Sequence, residues 1–357
     1  MKKLGWSIAF IAFIFILLVC YVFFVDDPKN LYNAISSAKI LPILAAALCM
    51  VFYWLFESLA QASIMKSGGC RLKFRQVFRV TMIGQLFNCI TPSATGGQPV
   101  QTYQMTRYGL SAGESMCMLL VRFLVYQAVM VAYSLVVLVL KLSYFNRTIS
   151  AFSSLALIGF AVNMGALAML VLACFFPKIC AKGANAVIRF LGKIKIIKNV
   201  ERKTKRVDEE IAKFHESFRF FRGNLRVTII PAVFSLLQLT VFFAIPYFIC
   251  KSLAVPVAFD IAFSAAALTF MISSFVPLPG GSGGAEGAFW LFFGSAFAAA
   301  GKSVAVAILL WRLLTFYLPI VTGSFFMLGN KNMVKYYVET TEKKRDAKSD
   351  SDGSASA

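Results

Sequence analysis

The chain has 357 residues, 59% of them apolar and 15% charged, with a formal net charge of +20. Soluble domains carry about 25% charged residues and fewer apolar ones, so this composition excludes an ordinary soluble protein. The basic excess raises nucleic acid as a partner, but no reader motif accompanies it, and the basic residues lie between long apolar runs.

A helix needs about 20 apolar residues to cross the hydrocarbon core. Runs of that kind predict spans near 5–25, 40–64, 115–140, 151–176, 227–250 and 303–328. The first run, Gly5 to Val25, is too long for a signal-peptide core and no small-x-small cleavage site follows, so it reads as a retained anchor. After span 40–64 comes a basic segment, Lys66–Arg79, and then an apolar stretch broken by Thr91-Pro92-Ser93-Ala94-Thr95-Gly96-Gly97-Gln98-Pro99. The limb before that break, Val80 to Thr91, is about twelve residues, or roughly 18 Å of helix, too short to cross. Arg79 and Arg107 flank the stretch with like charge. A re-entrant hairpin entering from the cytoplasmic side is expected. Ser111 and Glu114 have the spacing of a capping box that starts the next helix.

Residues 177–226 are rich in Lys and Arg interleaved with Ile, Phe and Val, which fits an amphipathic helix on an anionic inner leaflet. Beyond span 227–250, the stretch Ile261–Ala300 has Glu286 as its single charge and is broken by Pro277-Leu278-Pro279-Gly280-Gly281-Ser282-Gly283-Gly284. A loop reaching the cytoplasm would carry Lys or Arg, so a second hairpin entering from outside is expected, with two full spans as the alternative. The tail 331–357 is charged and then Ser/Asp/Ala-rich, and is expected to be disordered. In this topology 28 of the 36 basic residues fall on one side. The positive-inside rule then puts both termini in the cytoplasm of a plasma membrane.

The two halves share a pattern of a Pro/Gly break followed by an apolar helix with one arginine. Gly97 precedes Arg122 by 25 residues and Gly284 precedes Arg312 by 28. The fold class expected is therefore all-α: a polytopic membrane protein of about six full spans and two re-entrant hairpins in an inverted-topology repeat. One domain over 1–330 contains all of this. Glu57, Arg122 and Arg312 sit inside apolar runs and Glu286 opens the last limb of the second hairpin. Charge at that depth is costly unless paired or hydrated. Arginine binds phosphate through two parallel hydrogen bonds, and helix N-termini add backbone donors. A cradle for an anionic headgroup follows, made of Thr91, Pro92, Ser93, Gly96, Gly97, Gln98, Arg107, Arg122, Pro279, Gly280, Gly281, Gly283, Glu286 and Arg312, with Glu57 as a charge partner. Glu286 is expected to pair with Arg122 or Arg312. If the charges are purely structural, the pairs are Arg122–Glu286 and Arg312–Glu57.

The eight cysteines lack metal-ligand spacing and read as core thiols, the lone His215 has no role, and no metal or cofactor is expected. No Walker A loop, dinucleotide fingerprint or catalytic set is present, so the chain is not expected to be an enzyme. The paired motifs, Thr91-Pro92-Ser93 through Arg107 and Pro279-Gly280-Gly281-Ser282-Gly283 through Glu286 and Arg312, resemble those of the lysylphosphatidylglycerol synthase transmembrane-region family, over roughly residues 5–330. The resemblance implies a flippase-like unit that moves lipid, without the synthase domain of multidomain members. It also implies a separate lipid-modifying enzyme as a partner, and a site formed by the two motif loops with Arg122, Glu286 and Arg312. A membrane-embedded lipid or sugar transferase, or its membrane subunit, and a transporter of a soluble small molecule are the other classes considered. Oligomeric state is left open.

Overall fold

The computed structural model describes residues 38–148 except 71, 152–175, 226–274, 276 and 278–328, with isolated positions at 36 and between 204 and 219. The expected span 5–25, almost all of the basic segment 177–226 and the tail 331–357 lie outside the described residues.

The described residues form helices and no strand. In chain order they are α1 (Ile40–Ser67), α2 (Phe74–Ile90), α3 (Gly97–Thr106), α4 (Ala112–Thr148), α5 (Phe152–Phe175), α6 (Arg226–Ser252), α7 (Phe259–Ser273), α8 (Gly284–Ala299), α9 (Val304–Arg312), a π-helical segment Leu313–Tyr317, and α10 (Leu318–Leu328). Four helices among the described residues are long and apolar enough to span: Ile40–Ser67, Ala112–Arg147, Val227–Ser252 and Val304–Met327. Their outer faces carry Leu41, Leu140, Val139, Val321 and Phe325, all more than two-thirds exposed. Such an apolar exterior is stable against lipid tails rather than water. Inside lies an aromatic-rich core in which Phe289 stacks on Phe293 at 4.5 Å and meets Trp311 at 5.1 Å.

α1 and α6 form an antiparallel pair that fixes the two ends of the bundle. Lys39 N donates to Ser252 O, Tyr53 meets Phe242, and Phe56 meets Phe234. Both Pro/Gly breaks turn the chain back on itself rather than kinking one long helix. α2 and α3 form the first hairpin, in which the Gln101 amide donates to Val80 O and Gly97 packs against Gly84. Its base follows directly on Ser67, where Cys70 N donates to Met65 O. α7 and α8 form the second hairpin. Its base lies at the other end, next to Ser252, where the Lys302 ammonium donates to Leu253 O. Asp260, at the start of α7, pairs there with Lys141. The hairpins therefore approach from opposite ends of the α1/α6 pair, and their turns touch.

Two boundaries differ from expectation. The first limb is 17 residues, starting at Phe74 rather than Val80. The Gln76 side chain accepts from Lys73 N and caps the helix in the basic segment, and arginine is a good helix former whose aliphatic stem tolerates an apolar setting. α4 runs on to Thr148, beyond the expected 140. The capping box at its start is present, with Ser111 N donating to Glu114 and Glu114 N to Ser111 Oγ.

Candidate functional site

The two turns share one backbone conformation over residues 91–94 and 278–281 and then part, with ψ of -16° at Thr95 against 142° at Ser282 and φ of -81° at Gly96 against 85° at Gly283. Thr91 and Leu278 are extended, Pro92 and Pro279 open a single 3-10 turn, and the next residues, Ser93 and Gly280, have φ of 50° and 61°. Ala94 and Gly281 follow with φ of 52° and 62°. Ala94 N donates to Thr91 O and Gly281 N to Leu278 O. The hydroxyls of Thr95 and Ser282 each donate to the proline carbonyl three residues back. Residue 91 thus corresponds to 278, and the same offset pairs Gly97 with Gly284 at the starts of α3 and α8, which is the repeat seen in the structure. Glycine is required at 280, where a Cβ would run into the Phe316 ring as well as being strained by its φ. Gly97 is required for another reason: a Cβ there would lie 2.8 Å from Gly84 O, closing off the approach of α3 to α2.

The turns expose their tips. Pro92, Ser93, Ala94, Thr95, Leu278 and Gly283 are exposed, and Pro279 and Ser282 are buried beneath them. Thr91 is structural: its hydroxyl donates to Phe87 O and accepts from Gly96 N. Gln98 is partly buried on the first turn of α3. Arg107 stands apart from the other expected site residues. It caps the far end of α3 at the hairpin base, exposed beside the Tyr103 ring.

The intramembrane charges pair, but not as Arg122–Glu286 and Arg312–Glu57. Arg312 holds Glu286 with two parallel bonds, Nε to Oε1 at 2.7 Å and Nη2 to Oε2 at 2.8 Å. Its Nη1 donates to Gly280 O at 2.9 Å, and Glu286 accepts from Gly283 N. One arginine fork thus spans the turn, the start of α8 and the segment after α9. The chain leaves α-helical geometry directly after Arg312, in the π segment that brings Phe316 against Gly280. Single π turns of this kind occur at functional sites.

Arg122 pairs instead with Glu57 of α1, Nη2 to Oε1 at 3.2 Å. The reason is a break in the repeat: the residue corresponding to Glu286 in the first half is Pro99, so the first hairpin offers no carboxylate. Glu57, 2% exposed, also accepts from the amides of Gln85 and Gln238. Gln238 in turn accepts from Arg122 Nη2, and the guanidinium lies 5.4 Å from the Tyr126 ring. Gln85 and Gln238 escape a count of charges alone. Their signal in the sequence is an amide inside an otherwise apolar run, a group that also needs partners at that depth. A third polar cluster joins the hairpins to the outer helices. The Asn163 amide of α5 donates to Met271 O and to the Ser274 hydroxyl, and Asn163 accepts from Gln127 of α4.

Chemically, the site offers exposed turn tips, two helix N-termini, one arginine with all three nitrogens engaged, and one arginine whose Nη2 meets its carboxylate at 3.2 Å and whose Nε has no hydrogen-bond partner among the described residues. Over residues 6–323 the chain matches the family described as "Lysylphosphatidylglycerol synthase TM region". It is also similar to a UPF0104 membrane protein of Archaeoglobus fulgidus, with 24% identity over 328 residues covering 88% of this chain and 93% of that one.

Proposed function

Because the chain belongs to the lysylphosphatidylglycerol synthase TM region family of membrane proteins, we propose that it translocates, across the bilayer, a lipid with an anionic or aminoacylated headgroup. The observation that supports this reading best is the meeting of the two Pro/Gly turns, brought from opposite ends of the bundle. Their tips expose peptide groups to which lipid tails offer no partner. A headgroup passing between them meets the N-termini of α3 and α8, whose dipoles favour an anion. Arg122 is the residue suited to take the phosphate, since its Nε has no hydrogen-bond partner among the described residues. Arg312 acts by positioning the second turn, because its nitrogens are directed to Glu286 and Gly280. Under this reading both termini face the cytoplasm of the plasma membrane, the basic segment 177–226 rests on the anionic leaflet, and a separate enzyme supplies modified lipid.

The test is reconstitution into liposomes bearing a fluorescent anionic phospholipid, with a membrane-impermeant quencher added outside. Wild-type protein should speed loss of the protected fluorescence. Arg122→Ala should slow it on the order of tenfold, the factor matching about 1.4 kcal/mol of lost stabilisation. Unchanged asymmetry across several anionic headgroups, a lipid-linked sugar among them, would overturn the proposal in favour of a soluble cargo. Chemical conversion of the lipid would overturn it in favour of a membrane-embedded transferase.

A further inference from the structure

The two ion pairs differ in how firmly they are made, and that difference carries a second function for one of them. Glu286 is locked by a two-pronged contact with Arg312 and by the cap on Gly283. Glu57 meets Arg122 Nη2 at the longer distance of 3.2 Å and accepts from the amides of Gln85 and Gln238. An amide donates to a carboxylate and, turned over, accepts from a carboxylic acid. Gln85 can therefore satisfy Glu57 in either protonation state. Arg122 likewise keeps partners when Glu57 is neutral: Gln238 Oε1 at 3.4 Å and the Tyr126 ring.

A line of buried polar groups leads to Glu57 from one side. Gln61 is 2% exposed and Ser235 is fully buried, and neither side chain has a hydrogen-bond partner among the described residues. The antiparallel register that sets Glu57 against Gln238 puts Gln61 and Ser235 at the same level, about one turn closer to Ser67. Buried polar side chains of this kind are as a rule satisfied by internal water. On the opposite side of Glu57 the path is closed by aromatic packing, with Tyr53 on Phe242 at 5.2 Å and Phe242 on Phe270 at 5.3 Å.

We propose that Glu57 is a proton-binding site, reached from the Ser67 end of the bundle past Gln61 and Ser235, and that its protonation releases Arg122 to the lipid headgroup. The proposal rests on the lipid-translocation reading for its consequence, though not for the proton site itself. The groups facing Glu57 are Tyr53 from its own helix, Cys89 and Gln85 from α2, Arg122 and Tyr126 from α4, and Gln238 from α6. The π segment contributes Tyr317, which faces Arg312 and Glu286 instead. Arg122 is the one cation in this set, so adding a proton to the Glu57 carboxylate takes the cluster from net zero to a single positive charge. That charge favours an anion at Arg122. By reciprocity, an anion bound there raises the proton affinity of Glu57 by the same factor.

Infrared difference spectroscopy on the full-length protein in detergent reads the proton directly, without requiring transport. Acidification should produce a carboxylic-acid carbonyl band that is lost in Glu57→Gln and kept in Glu286→Gln. Short-chain phosphatidylglycerol should shift its midpoint to higher pH, and Gln61→Leu should slow its appearance after a pH jump. If Glu57→Gln does not fold, Glu57→Asp keeps the carboxyl and should move the midpoint. A band that survives in Glu57→Gln, or one that Glu57→Asp leaves unmoved, would overturn the proton site. If the band behaves as expected but liposomes keep their asymmetry, the translocation reading fails and the proton site stands.

Discussion

Arg122 and Arg312 look alike in sequence, each inside an apolar run, but their surroundings give them different work. Arg312 is a brace, and removing it leaves Glu286 and Gly280 O without their shared partner. Breaking a buried pair in this way costs about 3–5 kcal/mol. Arg312→Ala should therefore lower the thermal unfolding temperature in detergent markedly, and adding Glu286→Gln should restore much of the loss. Removing Arg122 leaves Glu57 the amides of Gln85 and Gln238, so Arg122→Ala should cost less stability than Arg312→Ala while costing more transport. The turn itself offers a sharper contrast. Gly280→Ala places a Cβ against Phe316 at positive φ and should destabilise by roughly 1–3 kcal/mol. Gly165→Ala on α5 meets no atom within 4 Å and should leave the unfolding temperature near wild type.

At the scale of elements, the two hairpins are held differently. The first is packed from behind by α10, where Gly323 lies close enough to α2 that a Cβ would come 2.7 Å from Met82 O. The second is tied to α5 through Asn163. They meet through two short turns with exposed tips. In a cysteine-free background, Ser93→Cys and Leu278→Cys should be joined by a short bifunctional thiol reagent. The cross-link should arrest lipid exchange, and reduction of a cleavable linker should restore it. Free exchange with the link in place would show that the turns do not part during transport. The Lys141–Asp260 pair at the base of the second hairpin is of another kind. The hydrogen bond from Lys141 holds the Asp260 carboxyl below its usual range, so the pair contributes above the unfolded-state pKa and is lost as pH falls through the folded one. Its carboxyl partner is 60% exposed and its lysine 26%, and pairs open to solvent are worth little. Asp260→Asn should leave both stability and transport close to wild type.

For the whole molecule, the ends of the bundle differ in charge as well as in which hairpin they admit. Lys66, Lys73, Arg75 and Arg79 cluster where the first hairpin begins, and that end should face the cytoplasm. Alkaline phosphatase fused at the 253–258 loop should be active in a bacterial host. A fluorescent protein at the C-terminus should light up, because it matures on the cytoplasmic side. The opposite pattern would invert the topology and, with it, the side from which Glu57 takes its proton.

The membrane class, the helices near 40–64 and 227–250, the two broken stretches and the family motifs were all legible in the sequence. Each depends on chain-local properties: the length of an apolar run, the φ that Gly and Pro permit, the cost of charge in hydrocarbon. Even the capping box at Ser111 is a local bond between neighbours. The partners of the four charges were legible only in part: Glu286 was expected to meet Arg122 or Arg312, and the structure selects Arg312, while the pairing of Glu57 with Arg122 was not foreseen. Glu57 and Arg122 are 65 positions apart, and their meeting depends on how α1, α4 and α6 cross. Spacing from the repeat suggested symmetric roles for the two arginines, but Pro99 stands where the second half has Glu286, so the symmetry of the backbone does not extend to the charges. Which arginine has every nitrogen engaged at the turn and which keeps an unpartnered Nε was decided by tertiary packing, because a long-range ion pair is set by the placement of helices and not by the residues on either side of it.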